Sequence, residues 1–158
     1  MKRKLLSVLV AGALASLGAT AQAAQGPSSS ATPYVTPTAA GWDVTSIISV
    51  GDAADNGYKM VGIPDGLGAY DNGNGTFTVL MNHEISPGSG INRAHGANGA
   101  FVSEWIINKS DFKVLAGADL ATSHLVWSNT GYVTASGAAN SFNRLCSADL
   151  PAVSAFYN

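Results

Sequence analysis

Leu67-Gly68-Ala69-Tyr70, then Asp71-Asn72-Gly73-Asn74-Gly75, then Thr76-Phe77-Thr78-Val79-Leu80-Met81-Asn82: the reading of this run decides the fold class. Gly and Asn tolerate positive φ, so the central Asp71–Gly75 stretch predicts a tight hairpin turn between two strands. The second strand opens with polar and apolar residues in alternation and becomes wholly apolar, as a strand does on passing from a half-buried to a buried position. The turn has some likeness to a calcium loop. It lacks the regular acidic spacing and the closing Glu of one, and reads as a hairpin.

The same pattern repeats on either side. Phe101-Val102-Ser103-Glu104-Trp105-Ile106-Ile107 is a strong strand, Asn108-Lys109-Ser110-Asp111 is a polar turn, and Phe112–Leu115 predicts the returning strand of a second hairpin. Leu125–Trp127 and Tyr132–Thr134 are shorter strand candidates, and Trp42–Val50 is rich in β-branched residues. No stretch beyond the amino terminus has a helical period, and glycines are spread through the turns. An all-β fold follows.

The amino terminus differs. Lys2, Arg3 and Lys4 precede an apolar run, Leu5–Leu17, and then Ala21-Gln22-Ala23, a small-x-small site. Basic, apolar, small: this is the order of a secretory signal peptide, residues 1–23, and it predicts export to the periplasm or medium. The apolar run is about 13 residues, short of the roughly 20 that a spanning helix needs, so no membrane anchor is expected after cleavage. Residues 24–41 are rich in Ser, Thr, Pro, Ala and Gly and predict a disordered linker. The folded domain is expected over residues 42–158.

Removing 23 of the 158 residues leaves 135, with five basic against ten acidic residues once Lys2, Arg3 and Lys4 are gone. Nothing basic is clustered, which argues against a nucleic-acid partner. Acidity argues equally against adsorption on anionic lipid. The one cysteine, Cys146, has no internal partner for a disulfide, and burial is the commonest fate of such a residue.

Residues 84–99 form a long loop, rich in Gly, Pro and Asn, that holds Glu84, Arg93 and His95. Ionisable residues in a long loop between good strands point to function. His83 and Glu84 close a strand and project from opposite faces, so both cannot serve one site. Glu84, which begins the loop, is the candidate ligand or acid–base group, and His83 reads as a hydrogen-bonded structural residue. Arg93 suits capture of phosphate or carboxylate oxygens, and equally a pairing with a nearby acid that holds the loop. His95 could donate a hydrogen bond or bind a metal, and shares a face with Arg93 if the chain is extended. Asp65, within Ile63-Pro64-Asp65-Gly66, reads as a turn residue. Cys146 lies beside Arg144 and Asp149, a setting in which a thiolate suits a soft or borderline metal.

Taken in order, Gly62-Ile63-Pro64-Asp65-Gly66-Leu67-Gly68, Met81-Asn82-His83-Glu84, Arg93-Ala94-His95-Gly96, Gly99-Ala100-Phe101-Val102-Ser103 and Arg144-Leu145-Cys146-Ser147 resemble the start of the PhoX-type alkaline phosphatase family and its exported relatives. The resemblance runs from about Met60 to Asn158. It implies a β-propeller with iron and calcium at its centre, held by acidic side chains and one cysteine, and a phosphate monoester as substrate. On this sequence it implies Glu84 and Cys146 as metal ligands, with Arg93 and His95 near the phosphate. A propeller blade takes roughly 40–45 residues and a closed ring needs at least about four blades. A partial propeller of antiparallel blades is therefore expected, an amino-terminal fragment that is inactive alone and completed by the remaining blades of a longer parent. Two other classes fit the same residues: a non-catalytic secreted or surface β-protein that binds a partner or carbohydrate, and another propeller hydrolase of phytase or lactonase type.

Overall fold

The structure, a computed structural model, describes residues 20–146. The expected signal peptide up to residue 19, and residues 147–158, lie outside the described residues. The architecture is all-β. Eight strands follow in order: β1 Gln22–Gln25, β2 Asp43–Ser46, β3 Pro64–Asp71, β4 Thr76–His83, β5 Phe101–Asn108, β6 Val114–Asp119, β7 Leu125–Ser128 and β8 Gly131–Thr134, with one 3-10 turn at Gly137–Asn140. β3 to β6 make a four-stranded antiparallel meander, β7 and β8 a separate hairpin, and β1 and β2 a short parallel pair. Among the described residues no helix is long and apolar enough to cross a membrane.

The meander forms where its sequence directs. At the first hairpin the Gly73 N–H donates to Asp71 Oδ1 (2.8 Å) and Asn72 N–H to the Thr76 carbonyl (3.2 Å). Gly73 and Gly75 both take positive φ there, which a side chain would disfavour. Strict alternation along β5 buries Phe101, Ser103, Trp105 and Ile107 and leaves the residues between them half-covered. The returning strand starts later than the expected Phe112. That residue adopts a φ of 60° and closes the turn through its N–H to the Asn108 carbonyl (2.9 Å), so the strand begins at Val114. Trp42–Val50 yields only the four-residue β2, since no further strand pairs with the rest of that run among the described residues.

Register sorts the inner face of the sheet into two ends. Phe77 pairs with Ile107, Val79 with Trp105, Met81 with Ser103 and His83 with Phe101, while Gly117 and Asp119 of β6 oppose Trp105 and Ser103. One end is apolar: Met81, Trp105, Ile107 and Val114 are buried with Ala54 and Met60, and Ile47, Ile48, Tyr58, Phe77 and Val79 pack around them. Gly117 is required here, because a Cβ on it would sit 2.5 Å from Tyr58 Cδ1 and 2.9 Å from the Trp105 ring. The other end is polar, with His83, Ser103 and Asp119 on the same face.

The segment that composition assigns to a linker has defined attachments at its amino-terminal end. β1 pairs Ala24 with Thr45 and Gln25 with Ser46. Ser29 is buried and its hydroxyl meets that of Ser49 (3.0 Å), Ser28 Oγ accepts from the Val114 N–H (3.0 Å), and Asp52 Oδ2 accepts from the N–H groups of Ser30 and Ser49 (2.9 Å each). Those backbone hydrogen bonds hold the Asp52 carboxyl below its usual range. Farther along, Tyr34 and Val35 are exposed.

Candidate functional site

Three chain segments meet at the polar end of the sheet. β3 starts at Pro64, which pairs with His83 at the end of β4. Pro is tolerated at the first position of a strand, so Asp65 continues into β3 and does not turn away from it. Glu84 follows His83, with its N–H on the Ile63 carbonyl (2.9 Å). The third segment is a strap, residues 140–146. Its Arg144 N–H donates to the Ile85 carbonyl (3.3 Å), and the Asn82 side-chain amide donates to the Cys146 carbonyl.

The result is a group of Asp65, Glu84 and Cys146 whose ligand-type atoms all lie within 4.8 Å of one another. The expected ligands Glu84 and Cys146 are thus adjacent, and Asp65 joins them. The turn reading of Asp65 is corrected: the signal that could have found it was the proline before it, which marks a strand start as readily as a turn. The expected burial of Cys146 is also corrected. It is exposed, because its surroundings are the polar groups of Glu84, Arg144 and Asp65 and not apolar side chains.

One cation, Arg144, balances the acidic side of this group. Arg144 donates from Nε (2.8 Å) and from its terminal nitrogen (2.6 Å) to Glu84 Oε1. This guanidinium first, and then the Cys146 side chain, hold the Glu84 carboxyl below its usual range. The Cys146 thiol donates to the Arg144 carbonyl (3.4 Å), and the adjacent Glu84 carboxylate first, then burial and the charge of Asp65, push it up. Glu84 Oε1 thus accepts twice from one guanidinium.

Arg93 and His95 lie outside this group. The Arg93 guanidinium is buried, 3.5 Å from Asp119 and 3.7 Å above the centroid of the Phe101 ring. Asp119 also accepts from the Ala94 N–H (2.8 Å) and from the Tyr58 hydroxyl, whose phenol is pushed up by burial and by that carboxylate. His95 is buried, packed edge-on to His124 (centroids 5.9 Å) and tilted against Phe142 (5.3 Å). The loop from 84 to 99 is thus pinned from inside by its two basic residues.

His83, read from sequence as structural, is fully buried. It stacks on Phe101 (4.2 Å, 3°), with Nδ1 3.2 Å from the Gly62 carbonyl and Nε2 2.8 Å from Ser103 Oγ. A carbonyl can only accept, so Nδ1 carries the proton and the Ser103 hydroxyl donates to Nε2. The Trp105 indole N–H completes the chain by donating to Ser103 Oγ (2.7 Å). This is the hydrogen-bond pattern of an activated serine, yet Ser103 is wholly buried. Without access to a substrate the pair satisfies buried polar atoms and does not act as a nucleophile.

No protein-family model matches the chain, and no curated protein or solved structure matches it significantly.

Proposed function

We propose that the chain is part of an exported, metal-dependent phosphatase-like β-propeller, with Asp65, Glu84 and Cys146 as metal ligands. The observation that carries this reading is the convergence of those three residues from three separate segments. The sequence motifs that resemble the PhoX-type family supply the reaction class, phosphate monoester hydrolysis. The four-stranded meander is the size and topology of one propeller blade, which supports the architecture.

The donor set can be tested against the implied metals by its chemistry. Calcium takes oxygen ligands alone, six to eight of them. A thiolate with two carboxylates suits a softer ion, so the group fits iron better than calcium. A bound iron ion would supply Lewis-acid polarisation of a phosphoryl oxygen. The chain's own residues must then do two things. Cys146 must release the proton that Glu84 stabilises on it, and Glu84 must turn from Arg144, which would be left with a free guanidinium suited to a phosphate oxygen. Arg93, engaged by Asp119, would position the loop, and His95 would do the same.

The test is anaerobic titration of chelator-treated protein with ferrous iron and, separately, calcium. One equivalent of iron per chain, lost in Glu84→Ala, Cys146→Ala and Asp65→Asn, is the expected result. A folded protein that binds no metal, or variants that bind as the wild type does, would overturn the reading.

A second reading, a non-catalytic β-protein that binds a partner or neutral carbohydrate, is favoured by the β7–β8 hairpin. Trp127 and Tyr132 face each other across it, ring centroids 5.2 Å apart, and both are about 70 % exposed. Exposed aromatic faces of this kind suit neutral sugars. Glycan binding lost in Trp127→Ala, by a protein that takes up no iron, is the outcome that would select this reading.

A further inference from the structure

The strap that carries Arg144 and Cys146 is held at its root by rings. Phe142 contacts both His95 (5.3 Å) and His124 (4.2 Å), and its carbonyl accepts from the Ala100 N–H (3.2 Å). The Asn140 side-chain amide donates to the His95 carbonyl, and the Ser141 hydroxyl to the Asn98 carbonyl (2.7 Å). Between residues 140 and 143 the strap has no ionisable side chain, so neutral packing and hydrogen bonds are all that attach it there.

His95 is the sensitive member. It is 5 % exposed, and its Nε2 has no hydrogen-bond partner among the described residues. A protonated imidazole carries a second N–H that must be satisfied, and burying an unsatisfied charge is costly. The groups that face His95 from its neighbours are His124 from the connection after β6, Asp119 from the end of β6 and Arg93 from its own loop. Asp119 is the one anion among them, and it is already shared by Arg93, the Ala94 N–H and Tyr58.

We propose that the His95–His124–Phe142 cluster is a proton-sensitive latch: protonation of His95 expels Phe142, frees residues 140–146, and so removes Cys146 and Arg144 from Glu84. The consequence for metal binding rests on the reading above; the latch itself does not. Burial first, and the neighbouring His124 second, push the His95 imidazole down. An imidazole that is harder to protonate in the closed state favours closure above its free value of about 6.5, and this advantage is lost as pH falls through the closed-state value.

The experiment is hydrogen exchange of the strap amides in metal-free protein between pH 7.5 and 5, corrected for intrinsic exchange, with the His95 ring titration followed by NMR in the same samples. The expected result is that the opening equilibrium of residues 140–146 rises below pH 6.5 by up to about tenfold per pH unit for one linked proton. The meander amides should stay protected. His95→Phe, which keeps a ring but takes no proton, should flatten the profile. A wild-type strap whose protection is independent of pH while His95 titrates overturns the latch without recourse to any variant, and so does an unchanged profile in a folded His95→Phe protein. Because no metal is present, failure here is separate from failure of iron binding in the titration above.

Discussion

Two arginine–carboxylate pairs involve the loop from 84 to 99, and they differ in nearly everything but their chemistry. Arg93 and Asp119 are 7 % and 10 % exposed in their side chains, and Asp119 has two further donors. Arg144 and Glu84 are 62 % and 19 % exposed, and the cluster they belong to offers further metal-ligating atoms. A buried charge that loses its partner has nowhere to go, whereas an exposed one is taken up by water. The first pair therefore maintains the fold, and the second contributes little to it.

The largest expected effect breaks the buried pair. Asp119→Ala should cost about 3–5 kcal/mol in a denaturant titration, since it leaves Arg93 charged and buried and takes the acceptor from Tyr58. A loss no larger than that of a surface substitution would mean that the pair is not the anchor described here. Next comes a substitution with no charge in it, as a measure of how tightly the apolar end of the same face is packed. Gly117→Ala should cost about 1–3 kcal/mol, because the new methyl meets Tyr58 and Trp105 at distances that force both to move.

The exposed pair should be read through chemistry and not stability. In chelator-treated protein, iodoacetamide should alkylate Cys146 several-fold faster at pH 7.5 in Glu84→Gln than in wild type, as the thiol then loses the carboxylate that keeps it protonated. Arg144→Ala should slow the same reaction, because the guanidinium opposes that effect. The smallest expected effect is that of Arg144→Ala on unfolding: no change in midpoint beyond error, since both partners of that pair meet solvent. A marked loss there would make the two pairs alike and remove the contrast.

Much of the sheet was legible in the sequence, and the reason is local. The Asp71–Gly75 turn specifies its own backbone, and once a turn fixes the register the alternation of Phe101–Ile107 selects the buried face. The site was legible in part. Resemblance to a motif series picks out Glu84 and Cys146, and the two are adjacent. Asp65 reads as a turn residue from sequence, because Pro-Asp-Gly is ambiguous until one knows that Pro64 pairs with His83. Burial is the commonest fate of a lone cysteine, yet Cys146 is exposed, because its burial depends on neighbours that lie 60 residues or more away, such as Glu84, and that no local pattern encodes. The resemblance places Arg93 and His95 near phosphate, and their spacing of two gives them a shared face only in an extended chain. Their loop is folded back on itself by bonds such as Arg93 N–H to the Ala97 carbonyl (2.9 Å) and Gly99 N–H to the Ser89 carbonyl (3.0 Å), so that spacing has no such meaning there.

The sequence by itself determined that this is a β-protein, where its first two hairpins turn, and that Glu84 opens a loop worth attention. Each of these depends on torsional preference or on a period of two, which a few neighbouring residues carry. Only the tertiary structure decided that Asp65, Glu84 and Cys146 share one surface, that Arg93 and His95 point inward, and that Ser103 is sealed against substrate. Those outcomes depend on strand register and on a strap that crosses from one segment to another. Contacts between residues so far apart follow from how the whole chain closes upon its core.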